Sequence, residues 1–290
     1  MEPGLLRDVL ALLLGFATGV LSALFGVGGA IVSNPGVRAL GAEPLVAVGT
    51  TLPSILPGAI SGTLRYRHEG LIDWHVITSA AAAGLLAVVA GSLLSHAVPG
   101  GGHLLLLLIA VLLAFTAWRT AVTPASAPAS DEDQGQSNGR AGSGFPGATG
   151  TDPSDAGAGP GKPGRRRWVA AGIGVVAGLL SGLLGIGGGV IMVPAFTELL
   201  GLPLKSAIAT SLVCVGIFGV PATITHAVLG DIDWRLATLL TIGVIPGARI
   251  GASLTIRTAE RRLRLAVGVF LALVALVYFV AETRALLEEL

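Results

Sequence analysis

The chain has 290 residues, of which 52% are hydrophobic and only 12% charged, with 18 Lys and Arg against 17 Asp and Glu. A soluble domain carries about 25% charged residues, so water is not the main solvent here, and the mean hydropathy of +0.81 arises from several long apolar runs. One cysteine excludes a disulfide framework and Cys-rich metal sites, and a formal charge of +1 gives no field to attract nucleic acid.

A helix needs roughly 20 apolar residues to cross a hydrocarbon core of about 30 Å. Such stretches run over 5–40, 44–64, 73–97, 103–122, 168–200, 205–229, 234–256 and 263–281, which predicts an all-α polytopic membrane protein. The first run has only Arg7 as a basic flank and no clear cleavage site, and it has a counterpart later in the chain. It is therefore read as structure and not as a secretory signal. Residues 123–167 are rich in Gly and Pro, with Phe145 their sole large apolar side chain. Such a segment buries too little surface to offset its ordering entropy and is expected to be a disordered linker. The expected organisation is a first transmembrane repeat at 1–122, the linker at 123–167 and a second repeat at 168–290.

The repeat reading rests on an ungapped match of Gly15–Pro35 with Gly174–Pro194. It pairs Ser22 with Ser181, and Gly26, Gly28 and Gly29 with Gly185, Gly187 and Gly188. With one residue inserted, Thr50-Thr51-Leu52 falls on Thr210-Ser211-Leu212, Ser54 on Cys214, Asp73-Trp74 on Asp233-Trp234 and Gly91 on Gly251. Duplicated membrane halves are a transporter trait.

Arg and Lys gather in cytoplasmic loops. The first half places Arg65 and Arg67 after its second stretch, whereas the second half places Arg257, Arg261, Arg262 and Arg264 after its third. Opposite orientations put both clusters inside together with Arg165, Arg166 and Arg167, which favours an inverted repeat with a cytoplasmic linker and external termini. Parallel repeats are the alternative. Inversion needs an odd number of crossings per half. The long first stretch of each half, broken at Gly26–Gly29 and Gly185–Gly189, can supply either a half-helix or a second crossing. Eight spans and ten elements both remain open.

Glycine runs are poor helix interior, and irregular backbone at membrane depth is tolerated only where protein or a watery cavity surrounds it. After each run an apolar segment resumes, so the glycines stand at the N-terminus of a short helix. Unpaired N–H groups and the positive end of the macrodipole attract an anion there. Gly26, Gly28, Gly29, Gly185, Gly187, Gly188 and Gly189 are the first candidates for substrate contact. Thr50 with Ser54 and Thr210 with Cys214 each lie one turn apart on a helix face and can complete an uncharged shell, with Thr51 and Ser211 beside them. The competing readings are close helix packing for the glycines and back-bonding to a carbonyl for the hydroxyls. Asn34 has Val193 as its counterpart and is a weaker candidate. His226, near the loop that carries Asp231, is a candidate for proton coupling, although a histidine in such a place is commonly just solvated. Arg249 inside the seventh stretch is a second coupling candidate, unless it snorkels to the surface.

At these residues the sequence resembles the sulfite exporter TauE/SafE family of membrane transporters, over roughly 5–120 and 168–282. The shared features are a Gly-x-Gly-Gly break followed by Pro35 or Pro194, a Thr-Thr-Leu or Thr-Ser-Leu helix, the Asp-Trp loop and a Gly-rich span from Gly243 to Gly251. The resemblance implies secondary transport of a small sulfur-containing anion, such as sulfite, sulfoacetate or another organosulfonate, across the cytoplasmic membrane of prokaryotes. The first half departs in having Ala30 where the second has Gly189, and in lacking a counterpart to Arg249. The linker lies outside the resemblance.

The expectation is a non-enzymatic secondary transporter without a cofactor or bound metal. Its partners are a small anion and the lipid bilayer, with no nucleic acid, and a homo-oligomer is left open. An anion channel is the runner-up. An intramembrane enzyme is less favoured because the spans hold no catalytic constellation.

Overall fold

A computed structural model describes residues 4–97, 163–185 and 187–288. All regular structure among them is helical: α1 Leu5–Phe25, α2 Ala30–Ala39, α3 Pro44–Arg67, α4 Trp74–Ala97, α5 Pro163–Leu184, α6 Gly189–Leu199, α7 Leu204–Leu229, α8 Trp234–Arg257 and α9 Glu260–Glu288. Six of these, α1, α3, α4, α5, α7 and α8, are long and apolar enough to cross a membrane. The expected stretch at 103–122 lies outside the described residues, and the one at 263–281 falls within α9. The expected linker is shorter at its end than hydropathy implied. α5 begins at Pro163, because proline is well placed in a first helical turn, where its missing N–H has no intrahelical partner anyway. The rest of that linker lies outside the described residues.

Helix ends follow from local chemistry. α1 stops at Gly26, whose φ of 68° permits the left-handed turn that returns its N–H to the Ser22 carbonyl at 2.8 Å. α5 stops in the same way at Gly185, with its N–H on Ser181 O at 2.9 Å. α4 and α8 start at the aspartates of the two Asp-Trp pairs. The Asp73 carboxylate accepts from Val76 N at 3.1 Å, and that of Asp233 from Arg235 N and Leu236 N at 3.0 and 3.2 Å.

The two halves interleave. α1 lies along α8, with Gly15 against Leu240, Gly19 against Val244 and Gly247 against Phe16, and a Cβ at any of these glycines would strike the neighbour's carbonyl oxygen. α5 lies along α4 in the same manner, with Gly174 on Ala80, Gly178 on Gly84 and Gly182 on Val88. Small residues one turn apart let the backbones touch, which is how membrane helices associate when burial of apolar surface supplies no drive.

These contacts also fix direction. Residue numbers rise together for α1 with α8 and for α5 with α4. They rise together again for α3 with α8, where Gly58 meets Val244 and Ser61 Oγ donates to Ile245 O at 2.7 Å. α4 runs with α7, since Thr210 lies by Asp73 and Phe218 by Gly84. α3 and α7 oppose each other: Gly62 meets Leu212, and Gly219 meets Ile55. Thus α1, α3 and α8 point one way and α4, α5 and α7 the other. Each helix of the first half opposes its sequence counterpart in the second, the pattern that an inverted duplication requires.

The direction pattern sorts the charges. The end of α3 and the starts of α4, α5 and α7 share one face with the α8–α9 junction. That face collects Arg65, Arg67, Arg165, Arg166, Arg167, Lys205, Arg257, Arg261, Arg262 and Arg264. The opposite face holds Arg7, Asp8, Glu43, Asp231, Asp233 and Arg235. Between them Leu52, Met192, Phe196, Ile208, Leu212 and Phe218 fill the interior, and Leu86, Trp168 and Val228 stand fully outward on surfaces suited to acyl chains.

Candidate functional site

After Gly26 the chain does not continue outward. α2 comes back along α1, with Gly29 against Thr18 and Gly36 against Leu14. α6 returns likewise along α5, with Gly188 against the Ala177 backbone. Both long first stretches are therefore helical hairpins with a short second arm, and neither glycine run is wound into continuous helix.

The turns use glycine where other residues would be strained. Gly26 and Gly28 have φ of 68° and 80°, and Gly185 and Gly187 have 64° and 84°. The runs then diverge, because Gly188 also has a positive φ of 68° whereas Gly29 sits at −60°.

The two breaks meet. A Cβ built on Gly187 would stand 3.5 Å from the Gly28 Cα, and one on Gly189 would strike the Gly26 carbonyl oxygen and the Val27 backbone. Gly26, Gly28, Gly185, Gly187, Gly188 and Gly189 are buried, and Gly29 is partly so. The N-termini of α2 and α6 point at this contact from opposite sides. Each brings N–H groups without an intrahelical acceptor and about half a positive charge of macrodipole.

One of the expected polar residues is hydrogen-bonded directly to a break. Ser211 Oγ donates to Gly26 O at 2.8 Å, with Ile208 O at 3.0 Å as the alternative acceptor, so a hydroxyl of α7 ties down the carbonyl where α1 ends. Its counterpart Thr51 instead reaches Asn34 Oδ1 of α2 at 2.7 Å and Val48 O at 3.0 Å. Asn34 thus joins the cluster more firmly than its missing counterpart suggested. Ser54 Oγ donates to Thr51 O at 2.7 Å, and the Cys214 thiol is free and buried.

Thr50 and Thr210 lie elsewhere. Thr50 Oγ1 accepts from Asp233 N at 2.9 Å and Thr210 Oγ1 from Asp73 N at 3.1 Å, which places them at opposite ends of the bundle as junctions between the halves. Shared spacing with Ser54 and Cys214 does not make a shared site, because the neighbouring helix start captures each threonine. Arg249 is exposed on the outer face of α8 and does not join the cluster.

His226 departs from the expectation of a solvated side chain. It is fully buried, with Nδ1 2.9 Å from Asp231 Oδ2, because the Gly230 turn brings Asp231 N to His226 O at 3.0 Å and folds the carboxylate back over the ring. The pair lies at the Arg-poor face, with Asp231 against Gly49 of α3, the residue after the Val48 that packs on Gly185.

Sequence reasoning missed Thr18 and Ser181. Both are 1% exposed, and neither hydroxyl has a hydrogen-bond partner among the described residues. Thr18 Cγ2 packs where a Gly29 Cβ would stand, so the hydroxyl on the same Cβ sits beside the start of α2. Some other buried hydroxyls bond back to a carbonyl, as Thr255 does to Gly251 O at 3.2 Å and Ser54 to Thr51 O at 2.7 Å. No hydropathy signal separates Thr18 from those. Among the described residues no three His, Cys, Asp or Glu side chains come together to hold a metal.

The family model described as "Sulfite exporter TauE/SafE" matches residues 11–278. The chain is 27% identical over 259 residues to the "Probable membrane transporter protein YunE" of Bacillus subtilis, covering 85% of this chain and 88% of that protein. It is 26% identical over 251 residues to a "Probable membrane transporter protein" of Xylella fastidiosa, covering 84% and 82%. No solved structure matches.

Proposed function

The chain belongs to the sulfite exporter TauE/SafE family, and on that premise we propose that it is a secondary transporter for a small sulfur oxyanion or organosulfonate, bound between the two helix breaks. The observation that carries this reading is the contact of Gly28 with Gly187, which brings two helix N-termini to one buried point from opposite sides. Anions bind such termini through backbone N–H groups, and broken helices meeting at a repeat interface are where many transporters hold their substrate.

The shell suits an oxyanion. Thr18, Thr51, Ser54, Asn34 and Ser211 supply neutral polar groups, and the breaks carry no Lys or Arg that would hold an anion too tightly to release it. With Gly26, Gly28, Gly185, Gly187, Gly188 and Gly189 buried, the structure corresponds to an occluded state that must open to either face in turn. Opposed directions of equivalent helices support an inverted repeat, in which rocking of one half against the other exchanges the two openings. The Arg-rich face is assigned to the cytoplasm by the positive-inside rule. The His226–Asp231 pair, buried at the other face, is the candidate for proton coupling.

The test is uptake of labelled sulfite, sulfoacetate and thiosulfate into proteoliposomes. Saturable uptake of one of them, with exchange against internal unlabelled substrate, supports a transporter. Non-saturating flux without exchange makes the protein a channel, and no flux of any of the three removes the sulfur-anion reading.

A further inference from the structure

The two Asp-Trp aspartates form matching junctions at opposite faces of the bundle. At the Arg-rich face Asp73 binds across the halves twice: its Oδ2 receives Arg166 of α5 at 2.9 Å, and its backbone N–H donates to Thr210 of α7. At the other face Asp233 repeats the scheme, with Arg7 of α1 at 3.6 Å and Thr50 of α3. There Arg235, two residues on from Asp233, adds a 2.6 Å ion pair to Asp8. Each junction joins the start of one half's fourth helix to the first and third helices of the other half.

We infer that these junctions are the two gates of the transporter, Asp73–Arg166 closing the cytoplasmic face and Asp233–Arg7 the external one. The inference rests on the alternating-access reading above. Three features carry it beyond ordinary surface pairing. Both junctions link the two halves, Asp73 reaching α5 and α7 and Asp233 reaching α1 and α3. They stand at opposite ends of the same buried contact between the breaks. Both are closed in one structure whose centre is sealed, as an occluded state requires. The side chains are partly exposed, from 17% for Arg7 to 38% for Arg166, so each pair is weak enough to break within a transport cycle. The aspartates also cap their own helices, which keeps each acid in place while its partner leaves.

The capping role makes a clean variant available, since Asn caps a helix about as well as Asp but carries no charge. The experiment uses the full chain in sidedness-defined vesicles and the protein's single cysteine, Cys214, buried on α7 one turn beyond Ser211. The probe is a membrane-impermeant, sulfonate-bearing methanethiosulfonate reagent added to one face at a time. Asp73→Asn and Arg166→Gln are expected to raise Cys214 labelling from the cytoplasmic face by about two- to fivefold, the size of effect a surface ion pair supports. Asp233→Asn and Arg7→Gln are expected to do so from the external face. A purely structural role would instead lower the yield of inserted protein without favouring a face. Either partner of a pair can be used if the other fails to insert, and Ser54→Cys in a Cys214→Ala chain provides a second reporter on α3. Equal changes at both faces, the same face responding to both pairs, or no change with either reporter overturns the assignment. If labelling is sided but no sulfur anion moves, the gates stand and the cargo reading falls. If the anion moves and labelling is not sided, the gates fall alone.

Discussion

Gly187 and Gly28 face each other so closely that a Cβ on Gly187 would stand 3.5 Å from the Gly28 Cα, although the two residues belong to different halves of the chain. A contact between two backbone turns leaves space for N–H groups to act, and only where side chains are absent. Replacing Gly187 by Leu introduces strain at a φ of 84°, on the order of 1–3 kcal/mol, and fills the meeting point. The expected outcome is loss of anion uptake with membrane insertion retained, read from flux and from the amount of protein in the membrane fraction. Unchanged uptake would move the site away from the breaks.

Thr18→Val separates a binding role from a packing role. Valine has the same shape and removes a buried hydroxyl that has no partner among the described residues, so stability should hold or rise by up to about 1–3 kcal/mol. If Thr18 contacts the anion, KM should rise by roughly ten- to a hundredfold, the loss expected for a hydrogen bond to a charged group at about 1.5–3 kcal/mol. Melting in detergent and uptake kinetics would then move in opposite directions. A lower melting temperature with unchanged KM assigns Thr18 to packing.

Ser211 is expected to be needed mainly for the shape of the first break. Ser211→Ala strands the Gly26 carbonyl and should cost about 1–3 kcal/mol, seen as a lower melting temperature. Ser211→Thr keeps the hydroxyl and is the matching control.

Single cysteines placed at 65–70 and at 257–264 should both be labelled only from the cytoplasm, and one replacing Glu43 only from outside. Labelling of the two Arg-bearing loops from opposite faces would contradict the helix directions described above.

For His226→Gln, uptake driven by an imposed proton gradient should disappear while exchange of internal for external anion continues. Loss of exchange as well would assign the His226–Asp231 pair to structure rather than to coupling.

Much of the architecture was legible from residue order alone. A lipid environment demands long apolar helices, and glycine runs in such helices interrupt them, so the described spans and both breaks are legible in the sequence. The Arg distribution, read through the positive-inside rule, already favoured opposed halves. Spacing along one helix could not tell which neighbour would capture a hydroxyl. That is why Thr50 and Thr210 were grouped with Ser54 and Cys214, although they bind the starts of α8 and α4 instead. His226 looked solvated because hydropathy cannot see a turn fold Asp231 back over it.

Local chemistry, then, determined where helices start, stop and break, since capping, glycine conformation and hydrophobic length act within a few residues. Only the tertiary structure decided that α1 lies on α8 and α5 on α4, that the two breaks touch, that Thr18 is buried beside the start of α2, and that Asp73 and Asp233 join the halves at opposite faces. Each of these depends on which backbones approach across the bundle. That choice is made by the fit of small residues on several helices at once, and no single segment encodes it.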